Sequence, residues 1–484
     1  MEAKIIVRAR YTIPAVALFS VVSLLTVGEI LSGTSLTFVA MMAVTFFCIG
    51  TTYNFLGGIG TFSGILFANF SLRTIVISQF AKVMLFEAAD KNLEDPQLTI
   101  AVYMVFYLSA MVGVLIYGRI HINLPKPMEP ETGAQTNLIY GISVVVGLVA
   151  TIVFQTIIMR GDNQNKGAES MGIAFSGLLL FALVLGVDDR IKSTKGAHSF
   201  GAKAFIPWAL LMLAGFLNTS RGALLLPNLV YGLTCFLRGY RFRRLHYVTA
   251  AVGLIAFSAV VSPFELYSRT FLADKPLQAR IPLAFQVLTS LPSWEPVRTA
   301  EELGQEKGVS REAYYSRPGT GVLSRLSLIR SDSNLINVCS NGFHYGWKVF
   351  NNDALYGVPR FLYKNKPEDD SSGYTGRLTG LNGDNIKSAE IVISPIADSF
   401  GSFGWWSVVL FPLFAFPTLF IIIEGTFDIE KPWGTVALGF FLMTFSEVTM
   451  GRFAISMIRT PLQVLFISYL VVGLARMIPT KGGH

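Results

Sequence analysis

Residues 98–118 read LTIAVYMVFYLSAMVGVLIYG, a run of 21 residues without a charged side chain. A helix needs about 20 apolar residues to cross the hydrocarbon core of a bilayer, so this run predicts a membrane span. Ten further apolar runs of similar length predict more spans. They lie at about 11–31, 36–56, 138–159, 169–187, 203–218, 221–238, 246–262, 400–423, 433–449 and 455–477.

The composition supports a chain that lies mostly in lipid. Of 484 residues, 52% are hydrophobic and only 14% are charged, whereas soluble domains carry about 25% charged residues. The net charge of +8 is explained by basic cytoplasmic loops, and no nucleic-acid-binding pattern accompanies it. The three cysteines, Cys48, Cys235 and Cys339, are far apart in sequence. They predict neither a disulfide framework nor a metal cluster.

The distribution of basic residues predicts the orientation of the chain. Segments 190–203 and 238–244 are rich in Lys and Arg and should therefore be cytoplasmic. The basic N-terminus, read as the start of an uncleaved first span, reaches the same side only if a twelfth span runs at about 62–86. Arg73 is unusual in such a span, and a re-entrant pair of interfacial helices is the alternative. Both termini are then predicted to be cytoplasmic.

This topology divides the chain into three predicted segments. Residues 1–262 form an N-terminal bundle of about nine spans, 263–399 a large external loop, and 400–484 a C-terminal bundle of three spans. The loop has about 137 residues, too many for a simple connector, and we expect it to be functional. Within it, 319–339 and about 345–356 predict helices. The expected fold is an all-α polytopic membrane protein with about twelve transmembrane helices.

Several familiar catalytic motifs are absent from the sequence. It contains no P-loop, no Gly-x-Gly-x-x-Gly and no His-Glu-x-x-His, and its five histidines do not pair. We therefore expect neither ATP-driven nor zinc chemistry, no metal site and no cofactor.

Cationic residues at the predicted external face suggest an anion site. Arg221 lies between two apolar runs, and because an arginine at membrane depth costs about 2.5–3.5 kcal/mol on insertion scales, we favour function over a snorkelling residue. The segment YGVPRFLYKNKP at 356–367 supplies Arg360, Lys364 and Lys366. Such an array suits a diphosphate, although a solvated basic loop is an equal alternative.

Further cations belong to predicted helices. Arg325 and Arg330 on helix 319–339 predict either a polar face above the bilayer or an interfacial helix that contacts headgroups. Arg452 and Arg459 flank the start of the last span. Either of those two completes a cationic pocket or anchors the helix.

Three residues are candidate proton acceptors. Asp398 lies where the external loop enters the membrane and fits either a general base or the N-cap of the next helix. Asp332 shares helix 319–339 with the arginines. His344, in FHYGW at 343–347, has a suitable pKa for proton transfer, but a histidine among aromatic residues is more often structural.

Three short motifs carry a resemblance to a known family. A Thr-Ser-Arg-Gly turn at 219–222 lies between adjacent spans and precedes a basic loop. Residues 358–367, VPRFLYKNKP, look like the family's Ile-Pro-Arg-x-x-Trp-Pro-x-Lys-Pro segment, with Lys364-Asn365 in place of the usual Pro-Asp. FGSFG at 400–404 looks like the family's Asn-Phe-Gly-x-x-Gly entry to a span. With the topology, these motifs resemble the Wzy-type polymerases of bacterial surface polysaccharide assembly.

The resemblance implies a GT-C-like membrane glycosyltransferase in the bacterial inner membrane. It would transfer a growing glycan from a polyprenyl diphosphate carrier to a fresh lipid-linked repeat unit at the periplasmic face. Its partners would be lipid-linked donor and acceptor, membrane lipid and, in some systems, a chain-length-regulating copolymerase. Arg221, Arg360 and Lys366 would stabilise the leaving diphosphate, and Asp398, Asp332 or His344 would take the proton of the acceptor hydroxyl.

Three alternatives remain open from the sequence. An O-antigen ligase shares the architecture and the donor and typically centres on a loop histidine. A lipid-linked-sugar flippase is disfavoured by the outsized loop and by the few charges deep in the spans. A non-catalytic membrane partner would tolerate the loss of Arg221.

Overall fold

The structure is a computed structural model that describes residues 12–91, 93–117, 120, 122–130, 133–160, 166–217, 221–256, 328–358, 393–445 and 448–478. In these residues we number sixteen α-helices and find no β-strand. The helices are α1 (Ala15–Leu31), α2 (Leu36–Phe55), α3 (Phe62–Ser71), α4 (Ile77–Met84), α5 (Pro96–Tyr117), α6 (Gly133–Arg160), α7 (Lys166–Ser193), α8 (Ala202–Leu217), α9 (Arg221–Leu237), α10 (Arg244–Ala256), α11 (Ile329–Ser340), α12 (Trp347–Gly357), α13 (Pro395–Phe403), α14 (Trp405–Thr426), α15 (Pro432–Thr444) and α16 (Met450–Met477).

Each of the eleven predicted apolar runs, and the twelfth predicted span at 62–86, is mostly helical in the part that the structure describes. Six stretches of the described chain are long and apolar enough to cross a membrane. They are Leu36–Gly60, Phe62–Met84, Pro96–Tyr117, Gly133–Val153, Trp405–Thr426 and Met450–Met477. An all-α membrane protein is therefore confirmed, and the spans beyond these six stay predictions. The two predicted loop helices are confirmed as α11 and α12, while residues 319–327 lie outside the described chain.

Two elements depart from the sequence predictions. The run predicted at 400–423 is broken at Gly404, whose φ of +62° ends α13 and turns the chain into α14. The stretch Phe62–Met84 contains a π-helical turn, Leu72–Val76, between α3 and α4. Arg73 lies in that turn, and extra residues in a helix commonly mark functional positions.

The chain forms two compact units, which cut across the three segments predicted along the sequence. Unit 1 contains the described residues within 1–124, 300–426 and 444–459, and unit 2 contains the remainder. Late helices thus pack with early ones. Helix α16 contributes its first ten residues to unit 1 and the rest to unit 2.

Unit 1 is built around a close crossing of α5 and α14. A Cβ atom on Gly113 would lie 2.2 Å from the carbonyl oxygen of Leu413, so only glycine lets these two backbones approach so closely. Aromatic rings fill the space beside the crossing. Phe70 meets Phe416 edge-on at 5.2 Å and stacks on Phe106 at 6.1 Å between ring centroids, a geometry that aromatic pairs prefer.

Hydrogen bonds gather the helix ends of unit 1 into two groups. At one end, the Ser35 amide donates to Asp90 (3.0 Å) and the Glu94 amide donates to Ser333 of α11 (2.9 Å). We call this the loop end, because α11, α12 and α13 lie there. At the other end, the Leu124 amide donates to the Gly425 carbonyl at 3.3 Å. Successive spans therefore alternate in direction, and Phe62–Met84 runs from the far end to the loop end as one continuous helical stretch.

Unit 2 has a separate core made by α7, α8 and α9. Leu183, Val187 and Ile191 of α7 pack with Ala204 and Cys235, and all five are buried. An ion pair joins α7 to the residue that follows α9, since Arg238 Nε lies 3.1 Å from Asp188 Oδ1 and both side chains are less than a tenth exposed. Trp433 of α15 stacks on Phe181 with ring centroids 3.6 Å apart.

Candidate functional site

Three aspartates at the loop end of unit 1 are almost completely buried. Asp332 belongs to α11, Asp353 to α12 and Asp398 to α13, and none is more than 1% exposed. A buried carboxylate is costly unless it is hydrogen-bonded or paired. Each of the three accepts hydrogen bonds from protein donors.

The Asp332 carboxylate joins a loop helix to a membrane span. It accepts hydrogen bonds from the Ser394 amide at 2.9 Å, from the Ser394 hydroxyl and from the Tyr103 hydroxyl of α5. Ser394 is in turn the N-cap of α13, because its hydroxyl accepts from the Ile396 amide at 3.1 Å. One carboxylate thus connects α5, α11 and the start of α13.

The Asp398 carboxylate makes a second connection. Oδ1 accepts from the Tyr345 hydroxyl at 2.5 Å, and Oδ2 accepts from the Met450 amide at the start of α16 at 2.6 Å. Asp398 lies inside the first turn of α13 and Ser394 caps that helix, so the prediction of an N-cap role for Asp398 is wrong. Gly401 is required beside it, since a Cβ there would lie 2.6 Å from the Tyr345 ring.

Asp353 is held by α16. Its Oδ2 accepts from the Thr449 hydroxyl, and its Oδ1 lies 3.5 Å from Arg452 Nε. Arg452 is one-quarter exposed, so the pair has one fully buried partner and one that reaches the surface. Removing one partner of such a pair is costly because it leaves a buried charge uncompensated.

Burial controls the acidity of two of these carboxylates. It raises the pKa of Asp332 to about 6, against the opposing effect of its hydrogen bonds from Ser394 and Tyr103. It raises the pKa of Asp398 to about 6 in the same way, and the neighbouring Asp353 and Asp332 charges add to the effect. Burial and the Asp398 charge also hold the pKa of Tyr345 well above its usual value, so this phenol stays a donor.

As proton acceptors these carboxylates combine a favourable pKa with an unfavourable position. A general base works best with a pKa near the operating pH, and about 6 satisfies that condition. However, both carboxylates are buried and occupied by protein donors. In this conformation they position the loop helices and do not face a substrate.

His344, the third proposed acceptor, is exposed. Its ring meets Phe400 edge-on at 5.9 Å, and the position of a Cβ on Gly404 would lie 3.1 Å from its Nε2. It therefore lies at the junction of α13 and α14. His344 thus contacts an aromatic residue, as a structural role would require, but its side chain is exposed.

The described cations of the site are partly exposed. Arg330 on α11 and Arg459 on α16 are both half-buried. Arg452 and Arg459 are seven residues apart, which places them on one face of α16 and separates them by about 10 Å along its axis. Ser456 lies between them on the same face and is also half-buried. This polar face, Arg452–Ser456–Arg459, begins at the loop end and continues into the span.

Five predicted anion-binding residues cannot be placed in this arrangement. Arg325, Arg360, Lys364 and Lys366 lie outside the described residues. The backbone of Arg221 begins α9 in unit 2, but its side chain is not among those described. Among the described residues, no three His, Cys, Asp or Glu side chains form a group that could hold a metal ion.

Comparison with known proteins adds no assignment. No protein-family model, no curated protein and no solved structure matches this chain. The function must therefore be inferred from the residues of the site.

Three residues of the site were not singled out from the sequence. Asp353 stands in a polar stretch, Asn351-Asn352-Asp353, where nothing distinguishes it from a solvated face. Tyr103 and Tyr345 lie among many aromatic residues. The spacing of Tyr103 and Tyr107, four residues apart in an otherwise apolar run, was a usable signal because it places two hydroxyls on one helix face.

Proposed function

We propose that this protein polymerises polyprenyl-diphosphate-linked oligosaccharide repeat units into an O-antigen or exopolysaccharide, at the periplasmic face of the bacterial inner membrane. The proposal rests on the sequence motifs and on one structural observation, the polar face Arg452–Ser456–Arg459. On this proposal the lipid diphosphates bind along this face, which runs from the loop end into the upper part of the span. Guanidinium groups bind phosphate oxygens bidentately, which makes them suitable for this anion.

The reaction we infer is a metal-independent glycosyl transfer. A hydroxyl of the acceptor sugar attacks the anomeric carbon of the donor glycan, and the bond from that carbon to the diphosphate oxygen breaks. The hydroxyl proton passes to a base, and the lipid diphosphate leaves with the bonding electrons. Positive charge fixed beside the diphosphate stabilises the transition state, because negative charge develops on the leaving oxygens.

Each candidate base has a different status in this proposal. His344 is exposed and can receive the proton without rearrangement. Asp332 and Asp398 are buried, and either would act only after the loop helices separate from α5 or α16. We assign further cations to the diphosphates as well. They are Arg330, Arg221, Arg325, Arg360 and Lys366.

The test is polymer formation by the purified protein in lipid nanodiscs with polyprenyl-diphosphate repeat units and EDTA. The wild type should give a ladder of products on a gel. Arg459→Ala should lower the rate about 100-fold, the usual effect of removing one group that stabilises developing charge. Arg459 is the preferred position because its loss leaves the buried Asp353–Arg452 pair intact.

Arg476→Ala is the matched control, because Arg476 is an exposed arginine in the last turn of the same helix. It should leave the ladder unchanged. Normal polymer length and rate with Arg459→Ala, in protein that melts like the wild type, would contradict the proposal. If the wild-type protein moved the lipid-linked repeat units across the bilayer and made no polymer, that result would support the flippase instead.

The exposure of His344 favours one second candidate, an O-antigen ligase. Such an enzyme would yield no ladder from repeat units alone but would transfer a glycan to a lipid A-core acceptor. Loss of that transfer in His344→Ala, with no polymerisation by the wild type, would favour the ligase.

A further inference from the structure

An exposed aromatic patch lies at the junction of α12, α13 and α14. It consists of Phe343, Trp347, Trp405 and Trp406, and Trp347 and Trp406 are 59% and 77% exposed. Large exposed apolar groups that cluster mark a surface that meets another apolar phase. The position of this patch in the fold identifies that phase.

Trp405 and Trp406 are the first two residues of a membrane span, Trp405–Thr426. Tryptophan is enriched where spans enter and leave the bilayer, because its ring is apolar and its N–H is polar. These two residues therefore lie at the depth of the headgroups at the loop end.

Hydrogen bonds fix the loop segment Phe343–Trp347 at the same depth. The Tyr345 amide donates to the Gly401 carbonyl at 3.1 Å, and the Gly346 amide donates to the Ser402 carbonyl at 3.0 Å. The Trp347 ring centroid is 4.9 Å from that of Phe403, two residues before Trp405. The polar zone on each side of the hydrocarbon core is roughly 5–8 Å thick, so a side chain held this close to the start of a span remains within it.

The side chains of this segment suit that zone. Phe343 and Trp347 are exposed, and Lys348, which follows them, is exposed as well. Lysine and tryptophan side chains both anchor helices at the membrane interface. Phe350 and Phe403 contact the Trp347 ring edge-on at 5.4 and 4.9 Å, which limits its rotation and presents it outward.

We infer that the segment Phe343–Lys348 is a membrane anchor, with Phe343 and Trp347 inserted among the headgroups of the bilayer. The described part of the loop at α12 is thereby held on the membrane surface. This inference depends on the membrane spans and not on the proposed glycosyl transfer, so the two can fail separately.

The test uses the fluorescence of Trp347, obtained as the difference between wild type and Trp347→Phe. The protein is placed in bilayers of lipids brominated either near the headgroup end of the acyl chain or near its terminal methyl. The difference emission should be quenched about twofold more by the shallow bromines than by the deep ones, as for tryptophan at a membrane interface. Trp433→Phe is the matched control, because Trp433 is 2% exposed and stacked on Phe181; its difference emission should not show this depth preference.

Quenching of the Trp347 emission by aqueous iodide but not by either brominated lipid would overturn the anchor. Protection from both quenchers would overturn it too, because the ring would then be covered by protein. A shift of the Trp347 emission maximum on addition of free oligosaccharide, without quenching by either brominated lipid, would assign the ring to a glycan and would likewise contradict the inference. The Phe substitution conserves an exposed aromatic ring, and unchanged melting of the variant confirms that it folds.

Discussion

At the scale of single residues, two buried carboxylates make the stability of the loop end depend on pH. Asp332 and Asp398 accept hydrogen bonds from Ser394, Tyr103, Tyr345 and the Met450 amide. These bonds favour the charged form, yet burial outweighs them and raises both pKa values to about 6. The two groups therefore connect the loop to the spans and also make the connection depend on pH.

The direction of that dependence follows from the shifts. An exposed Asp has a pKa of about 3.9, so between about pH 4 and pH 6 the folded state binds these protons more tightly than the unfolded state. Each group then contributes its greatest stability below pH 4 and loses it as the pH rises to about 6. The difference between the usual pKa and about 6 corresponds to at most ~3 kcal/mol per carboxylate.

We expect Asp332→Asn and Asp398→Asn to flatten the pH dependence of the melting temperature. An amide can keep the geometry at both positions, since the Tyr103, Ser394 and Tyr345 hydroxyls can accept as well as donate hydrogen bonds. Between pH 8 and pH 5 the wild type should gain melting temperature, and each variant should gain less while melting at pH 8 no lower than the wild type. Asp189→Asn, at an exposed position in unit 2, is the control. An unchanged slope in both variants would show that these carboxylates are not the groups that titrate.

At the scale of elements, Gly404 decides where the loop ends and the span begins. Its φ of +62° with a ψ of −142° is accessible to glycine but costs other residues roughly 1–3 kcal/mol. A Cβ there would also approach His344 Nε2 to 3.1 Å.

Gly404→Ala and Gly404→Asn should therefore both lower the free energy of unfolding by about 1–3 kcal/mol, because a φ of +62° with a ψ of −142° lies outside the left-handed helical region that asparagine tolerates. Gly473→Ala is the matched control, since Gly473 lies inside α16 and a Cβ added there would meet nothing within 4 Å. That change should be neutral or slightly stabilising. Equal effects at the two glycines would contradict a special backbone conformation at position 404.

The elements themselves were largely predictable, and their boundaries less so. The required orientation of the N-terminus located one of the twelve predicted helical stretches, at 62–86. Apolar run length located the other eleven, because lipid requires long uncharged helices. It failed at 400–423, where FGSFGWW remains apolar through the break at Gly404. The pair Ser394-Pro395, an N-cap followed by proline at the first helical position, was a sufficient signal for the start of α13. Read that way, it would have placed Asp398 inside the helix.

At the scale of the whole molecule, the alternation of helices in unit 1 agrees with a membrane topology. The assignment of sides still rests on the basic segments of the sequence. It predicts that Asn341, which is exposed at the loop end, is periplasmic and that Lys195, which is exposed in the turn after α7, is cytoplasmic.

Cysteine labelling in intact cells tests this prediction. A membrane-impermeant maleimide should label Asn341→Cys and should label Lys195→Cys only after the membrane is opened. The three native cysteines are free and buried and can be replaced by alanine as background. Labelling of Lys195→Cys from outside would reverse the topology.

The division into two units could not be read from the chain order. Sequence reasoning grouped spans by their succession, whereas Gly113 brings α5 against α14, about 300 residues later. No local pattern encodes such a partner. The candidate site was predictable only in part. Asp332 and Asp398 stood out in the sequence as carboxylates near a membrane entry. Tyr103 and Asp353 did not, because their roles depend on contacts with residues distant in sequence.

The π turn at Leu72–Val76 connects the external loop to a membrane span, because the Leu328 amide donates a hydrogen bond to the Arg73 carbonyl within the turn at 3.0 Å. If this turn lost its extra residue and became regular α-helix, all of α4 would rotate about its axis by roughly 100°. Lys82, whose ammonium donates to the Ala89 and Lys91 carbonyls, would swing away from them. Separation of α11 from this span and rotation of α4 about its axis would then occur together.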